Sequence, residues 1–198
     1  MTKLIQLQIP FDSLLDTLIS LDINQLYQLK DVVNRAIEQA KYNKLRDLLA
    51  AGEWLEADQE TAAVMWTISG SQIPGFIHGE YIKKIPCEDL KAIDNLWTEY
   101  SNGHFGFSVQ KQIWDEIQEK AYDTYDTQDF KSFMKVGRKF DGSVGWNCTL
   151  DSIQFSLDAP PGHLPTYKCV GVQGGVENAA QRYHNYLLAT KFRSCNIG

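Results

Sequence analysis

The residues that most often carry catalysis are scattered in this sequence. Its four histidines are His78, His104, His163 and His184, and none stands in a local motif with serine, cysteine or a carboxylate. A nucleophile needs a base within hydrogen-bond reach, and that base needs an orienting partner. We therefore predict no catalytic residue. We expect a solvated turn residue at His104 and a structural role for His184; His163 is either a turn residue that bonds the backbone or a ligand contact.

The four cysteines lack the spacing of a metal or redox site. Cys87, Cys148, Cys169 and Cys195 form no CxxC pair and accompany no paired histidines, as a zinc site would require. We predict reduced, partly buried thiols and no bound metal. The glycines at 171–175 have no lysine–threonine ending, so they predict a connector and not a phosphate-binding loop.

Aromatic residues are concentrated in the parts of the chain that lack helical periodicity. Two interpretations are open, because such side chains either seal loops onto helices or line a pocket for a large flat molecule. The segment 69–84 has the same ambiguity: it is unusually apolar for a loop, so it either packs against the core or contacts an apolar ligand. The aromatic set is Phe76, Phe105, Phe107, Trp146, Phe155 and Tyr167.

Composition and charge limit the kinds of partner. The chain has 198 residues, 43% hydrophobic and 22% charged, with a net charge of −6, which is typical of a folded globular protein. An acidic chain without a basic run gains little from the phosphates of nucleic acid or of a membrane surface, so we expect neither as a partner. No run of eighteen apolar residues and no signal-like apolar segment occurs, which predicts a soluble protein without a membrane span.

The spacing of apolar residues predicts an all-α fold with two parts. Residues 1–42 form a short N-terminal helical extension, whose second helix begins at Asp22 with a capping box to Gln25. An apolar stripe on that helix needs a cover, either the rest of the chain or another copy of it. The stripe consists of Leu26, Leu29, Val32, Val33 and Ile37.

Residues 43–198 form the helical core. We predict a helical hairpin over 43–69 that turns at Gly52. Glycines and prolines over 137–168 predict an irregular segment. Further helices are predicted over residues 86–100, 106–121, 129–135 and 177–188.

Three segments of the core carry a resemblance to a known family. They are LRDLLAAGEW at 45–54 with AD at 57–58 and ETA at 60–62; IDNLW at 93–97, YSNGHFGFSVQK at 100–111 and IW at 113–114; and FSL at 155–157 with APPGHLP at 159–165. In this order they resemble the genomes-uncoupled-four family. The resemblance covers roughly residues 43–165.

The resemblance implies a cupped, all-helical protein without catalytic activity of its own. Such a protein binds protoporphyrin IX or Mg-protoporphyrin IX and stimulates magnesium chelatase in chlorophyll biosynthesis, through the large porphyrin-binding subunit of that enzyme. It would act in the cyanobacterial cytosol or the plastid stroma. A porphyrin is a flat apolar disc with two propionates, so it needs apolar walls and a cation at the rim. The implied ligand-binding residues are Ile68, Phe76, Ile82, Phe105, Phe107, Gln110, Lys111, Trp146, Phe155, His163 and Lys168.

Two departures from the family pattern keep other functions open. About 42 residues precede the core, whereas photosynthetic members have a larger N-terminal bundle. The stretch 166–175 contains Lys168 where the family has arginines, and lysine lacks the bidentate fork that suits a propionate. The alternatives are a paralogue that binds a linear tetrapyrrole (a bilin), or a protein–protein adaptor that keeps the fold without a ligand. In either case the N-terminal helices could mediate self-association.

Overall fold

A computed structural model describes residues 11–72, 77, 79–122, 130–146, 153–166 and 179–198. These residues form nine α-helices and no strand, which confirms the all-α prediction. The chain divides into two compact units, Met1–Asn43 and Lys44–Gly198. The helices are α1 (Phe11–Ile19), α2 (Ile23–Lys41), α3 (Asn43–Ala51), α4 (Trp54–Ser69), α5 (Gly79–Lys84), α6 (Cys87–Tyr100), α7 (Phe107–Tyr122), α8 (Phe130–Ser143) and α9 (Ala179–Ser194).

The first unit contains the predicted capping box. The Asp22 carboxylate accepts hydrogen bonds from the backbone N–H groups of Asn24 and Gln25, at 2.8 and 2.9 Å. The Gln25 side chain in turn accepts one from the Asp22 N–H at 3.0 Å. The box satisfies donors that have no partner inside the helix, which fixes the start of α2 at Ile23.

In the second unit, the predicted hairpin is formed by α3 and α4. Gly52 adopts a φ of +72°, a left-handed conformation that suits glycine, and ends α3. Leu45 and Leu49 on α3 and Met65 on α4 are buried. Farther along the chain, α7, α8 and α9 pack against one another, and α5 contacts α4 and α9.

The second unit contains a cluster of three aromatic rings. The Trp97 ring lies 6.1 Å from Trp54 and 6.3 Å from Phe105, between ring centroids, and Phe105 meets both rings edge-on. The buried Trp97 Nε1–H needs an acceptor, and it donates to Thr61 Oγ1 of α4 at 2.9 Å. Helix α6 is thereby fixed against the α3–α4 hairpin.

Several helix boundaries differ from the predictions. The short helix predicted at 129–135 is α8, which continues to Ser143 into a stretch predicted to be irregular, because Val136 and Phe140 continue one buried stripe. The last helix extends to Ser194 and not to residue 188, and Phe192 near its end stacks on Phe107 at 4.7 Å. Part of the segment 69–84 is also helical, as α5, with Ile82 buried.

The prediction of reduced thiols is wrong for two cysteines. Cys87, the first residue of α6, and Cys195, the residue after α9, form a disulfide with a Cα–Cα distance of 5.2 Å. The two residues are 108 positions apart in the sequence, so local spacing gives no sign of the pair. Cys148 and Cys169 lie outside the described residues.

Candidate functional site

Two of the motif segments meet backbone to backbone. The Gly106 N–H donates to the Leu164 carbonyl at 3.1 Å, and the Gly162 N–H donates to the His104 carbonyl at 2.9 Å. His104 Nε2 lies 2.7 Å from the Ala159 carbonyl. The turn after α6 and the segment 159–166 are therefore held together by bonds that run in both directions. We call residues 102–110, residues 159–166 and Asp58 the motif junction.

Gln110 fastens the junction to α7. It is buried, and its Nε2 group donates to the carbonyls of Gly162 at 2.9 Å and Pro165 at 2.8 Å. Two carbonyl acceptors require the amide nitrogen on that side, so the amide orientation is set by its partners. The Gln110 Oε1 atom is buried and has no hydrogen-bond partner among the described residues.

Asp58 joins the remaining motif segment to the same place. Its carboxylate accepts from the Thr166 N–H at 2.5 Å and from Thr166 Oγ1 at 2.6 Å. Both residues are buried, and bonds to a charged acceptor are stronger than those between neutral groups. The first motif segment is thus hydrogen-bonded to the residue that directly follows the third one.

Asp94 of α6 supports the start of α7. Its Oδ1 atom accepts from the backbone N–H of Ser108 at 2.9 Å and from Ser108 Oγ at 3.0 Å. Burial raises the pKa of this carboxyl above its ordinary value of 3.8, although the bonds to Ser108 act in the opposite direction. The carboxyl can approach because Gly106 has no side chain: a Cβ there would lie 2.8 Å from Asp94 Oδ1.

The observed environments of the histidines agree only in part with the predictions. His104 is half-buried and bonded to a carbonyl, so it is not the solvated turn residue we expected. His163 is buried; its Nδ1 lies 2.6 Å from the Val144 carbonyl, and its Nε2 accepts from the Gln154 N–H at 3.1 Å. These partners fit a neutral ring with the proton on Nδ1, and they bond the backbone as the turn interpretation requires. The side chains of His78 and His184 lie outside the description.

The predicted ligand-binding residues fall into three groups. Six are buried, with at most 2% of their surface exposed: Ile82, Phe105, Phe107, Gln110, Trp146 and His163. Ile68, Lys111 and Phe155 keep intermediate exposure. Phe76 and Lys168 lie outside the described residues. Contact between a ligand and the buried group would require neighbouring side chains to move.

Lys111 lines a cavity of about 350 Å³ beside α7. None of the other predicted ligand residues lines it; the described lining includes Ser108, Gln112, Asp115 and Glu119. The Lys111 ammonium lies 3.2 Å from Asp115, which also contacts the Arg193 guanidinium. Charge-paired side chains therefore lie along this cavity. No group of described His, Cys, Asp and Glu side chains is arranged to hold a metal ion, and no described helix is long and apolar enough to cross a membrane.

Residues 35–180 match the model of the GUN4-like family, which is the genomes-uncoupled-four family that the motifs resemble. The chain belongs to this family. Its sequence is 33% identical over 134 residues to the chloroplastic tetrapyrrole-binding protein of Arabidopsis thaliana, covering 63% of this chain and 47% of that protein. It is 32% identical over 151 residues to the uncharacterized protein ycf53 of Pyropia yezoensis, covering 70% and 56%. The chain therefore spans about half the length of the curated relatives it matches.

Solved GUN4 structures confirm the fold. The structure of GUN4 from Chlamydomonas reinhardtii aligns with a TM-score of 0.56 at 28% identity, over 75% of this chain and 87% of that one. Sequence motifs alone identified the family correctly, and they also pointed to an all-helical core. They did not identify Asp58 and Thr166 as partners, because the two residues are 108 positions apart and Thr166 lies just outside the quoted motifs.

Proposed function

We propose that this GUN4-like chain is a non-catalytic tetrapyrrole-binding protein. The observation that carries the proposal is the 33% identity to the tetrapyrrole-binding protein of Arabidopsis thaliana. The bonds of the junction support a role without catalysis, because His104 Nε2, both ring nitrogens of His163 and Gln110 Nε2 bond backbone groups. A catalytic base would instead need a substrate or a nucleophile as its partner.

The proposed ligand is protoporphyrin IX or Mg-protoporphyrin IX. Its flat face suits aromatic and branched side chains, and its propionates suit a cation. Ile68 and Phe155 offer partly exposed apolar surface, and Lys111 and Lys168 are the proposed rim cations. The buried residues of the predicted set, such as Phe105 and Phe107, would serve mainly by holding these surfaces in place.

The proposed role of the complex is to stimulate magnesium chelatase through its large porphyrin-binding subunit, in a cyanobacterial cytosol or a plastid stroma. The sequence of residues 166–175 favours a second candidate, because Lys168 is the one cation there. A site with fewer guanidinium groups binds propionates less tightly. An adaptor without a ligand would tolerate that composition. A paralogue that binds a bilin is the other alternative, and because a bilin also carries two propionates it would rely on further contacts.

A titration tests ligand binding. A water-soluble porphyrin, its magnesium complex and a bilin are each added to the full chain, and the fluorescence of its five tryptophans is followed. We expect saturable quenching by at least one porphyrin at low micromolar concentration. If the bilin instead binds with a lower Kd than either porphyrin, the bilin alternative is favoured. If none of the three quenches at tens of micromolar, the chain is not a tetrapyrrole-binding protein.

A pair of neighbouring variants tests the proposed contact. Phe155 and Leu157 lie in one described segment; Phe155 is part of the proposed site, whereas Leu157 is 50% exposed and is not. We expect Phe155→Ala to raise the porphyrin Kd about tenfold, since losing one aromatic contact costs about 1 to 1.5 kcal/mol. Leu157→Ala should change the Kd less than about twofold. Equal effects of the two variants would remove Phe155 from the site.

A reconstituted assay tests the regulatory role. Magnesium insertion by the purified chelatase subunits is measured with and without the full chain. We expect the chain to raise the rate only when its porphyrin affinity is intact, so Phe155→Ala should stimulate less than Leu157→Ala. Binding to the large subunit with no tetrapyrrole affinity would instead indicate the adaptor.

A further inference from the structure

The first unit exposes an extended apolar surface. Of the twelve large apolar side chains that the described structure leaves exposed, nine lie on α1 and α2. The other three, Leu55, Leu157 and Tyr186, are dispersed over the described part of the second unit. The nine are Leu14, Leu15, Ile19, Ile23, Leu26, Tyr27, Val32, Val33 and Ile37.

On α2, four apolar side chains form one continuous stripe, and three of them belong to this exposed set. Leu26, Leu29, Val33 and Ile37 follow one another at intervals of three or four residues, so they lie on one face of the helix. The 19 residues of α2 make a helix about 28 Å long. Monomeric soluble proteins rarely expose an apolar stripe of this length, and most helical stability in proteins comes from packing of an amphipathic face. The stripe therefore needs a cover.

The charges along the unit favour a second copy in antiparallel orientation. Residues 11–22 contain three aspartates and no basic residue, whereas the part of α2 from residue 30 onward carries a net charge of +1. An antiparallel pair places the acidic end of each copy beside the basic end of the other, and it also opposes the helix dipoles favourably. A parallel pair would place like charges together. The charged residues are Asp12, Asp16 and Asp22, then Lys30, Asp31, Arg35, Glu38 and Lys41.

We propose that α1 and α2 form the interface of an antiparallel homodimer of this chain. Leu26, Val33 and Ile37 lie at its centre, and a two-fold axis relates the copies, so the same surface serves both. The dimer does not depend on a tetrapyrrole, and it is tested without one.

Sedimentation of the full chain without ligand, at about 1 to 100 µM, tests the interface. We expect a reversible dimer of twice 22.5 kDa. The double variant Val33→Glu with Ile37→Glu should raise the dimer Kd at least about a hundredfold, because it places four carboxylates in the apolar seam. The control is Leu55→Glu, because Leu55 on α4 is 40% exposed, close to the 38% of Leu26 in the proposed interface. The Leu55→Glu variant should dimerise as tightly as the wild type.

A wild-type chain that stays monomeric throughout this range would overturn the proposal and would leave α1 and α2 to be covered by another surface. A dimer that survives the double variant would overturn it as well, because the interface would then lie elsewhere. Loss of the dimer in Leu55→Glu would have the same consequence.

Charge variants test the orientation. Lys30→Glu with Lys41→Glu makes both ends of the unit acidic, and Asp12→Lys with Asp16→Lys makes both ends basic. Each variant should weaken its own dimer about threefold or more, while their equimolar mixture forms a heterodimer tighter than either homodimer. A mixture no tighter than the separate variants would contradict the antiparallel arrangement.

Discussion

The substitution Gly106→Ala tests the link between the family motif and the fold. Gly106 has a φ of +131°, and a Cβ at this position would lie 2.8 Å from Asp94 Oδ1 and 2.8 Å from Thr98 Cγ2. Real Cβ contacts are not this short, so the carboxyl must move. The same oxygen accepts both bonds from Ser108, and its displacement breaks the cap on α7.

The expected loss of stability follows from these contacts. Backbone strain at a position that favours glycine costs about 1 to 3 kcal/mol, and loss of the cap costs about 1 to 2 kcal/mol more. We therefore expect Gly106→Ala to lower the free energy of unfolding by about 2 to 5 kcal/mol. The control is Gly103→Ala: its φ is +75°, but no atom lies within 4 Å of the added Cβ, so strain alone of about 1 kcal/mol is expected.

Urea unfolding followed by tryptophan fluorescence measures both variants. All five tryptophans belong to residues 44–198, so the signal reports the unit that contains the junction. If the two alanine variants lose the same stability, to within about 0.5 kcal/mol, the close approach of Asp94 does not matter and our account of the α7 cap is wrong.

Three further predictions concern buried groups. Burial raises the pKa of Asp94, so its contribution to stability falls as pH rises through the interval between 3.8 and the folded-state value. When the free energy of unfolding is measured from about pH 3 to 7, the wild type should show this decline and Asp94→Asn should not. Reducing the Cys87–Cys195 disulfide, which spans 108 residues, should lower the free energy of unfolding by about 4 kcal/mol, and a double serine variant should not respond to reductant. Gln110→Leu should cost about 2 to 4 kcal/mol by leaving two carbonyls unbonded, whereas Gln112→Leu on the exposed side of α7 should change stability by about 0.5 kcal/mol or less.

Local signals in the sequence were sufficient to predict where most helices lie. Asp22 with Gln25, Gly52 and the start of α6 after Pro86 each act within a few residues of the chain, so their effects are visible in the sequence itself. The length of α8 could not be predicted in this way, because the glycines in its sequence suggested that the helix ends early. The buried side chain of Phe140 packs against Trp146 at 5.6 Å and Trp114 at 5.1 Å, and this tertiary contact outweighs the weak helix propensity of glycine.

The candidate site was harder to predict because aromatic density fits two structures. Phe105 and Phe107 occupy loop-like positions in the sequence, and a pocket wall and a loop seal require the same residue types there. The structure places both among other rings: Phe105 meets Trp54 and Phe107 stacks on Phe192. Which partner a ring finds depends on residues tens of positions away, and no local pattern encodes that choice.

At the motif junction, the residues of the family signature serve the fold more directly than they serve ligand binding. Its polar atoms are used to join three chain segments, as Asp58 does with Thr166 and Gln110 does with Gly162 and Pro165. These residues therefore stabilise the fold through bonds that involve no ligand. Under the proposed function, we expect discrimination between a porphyrin and a bilin to depend on side chains outside the junction, such as Lys168 and the half-buried Phe155. We therefore expect the lack of arginines in the stretch 166–175 to affect ligand binding and not the fold.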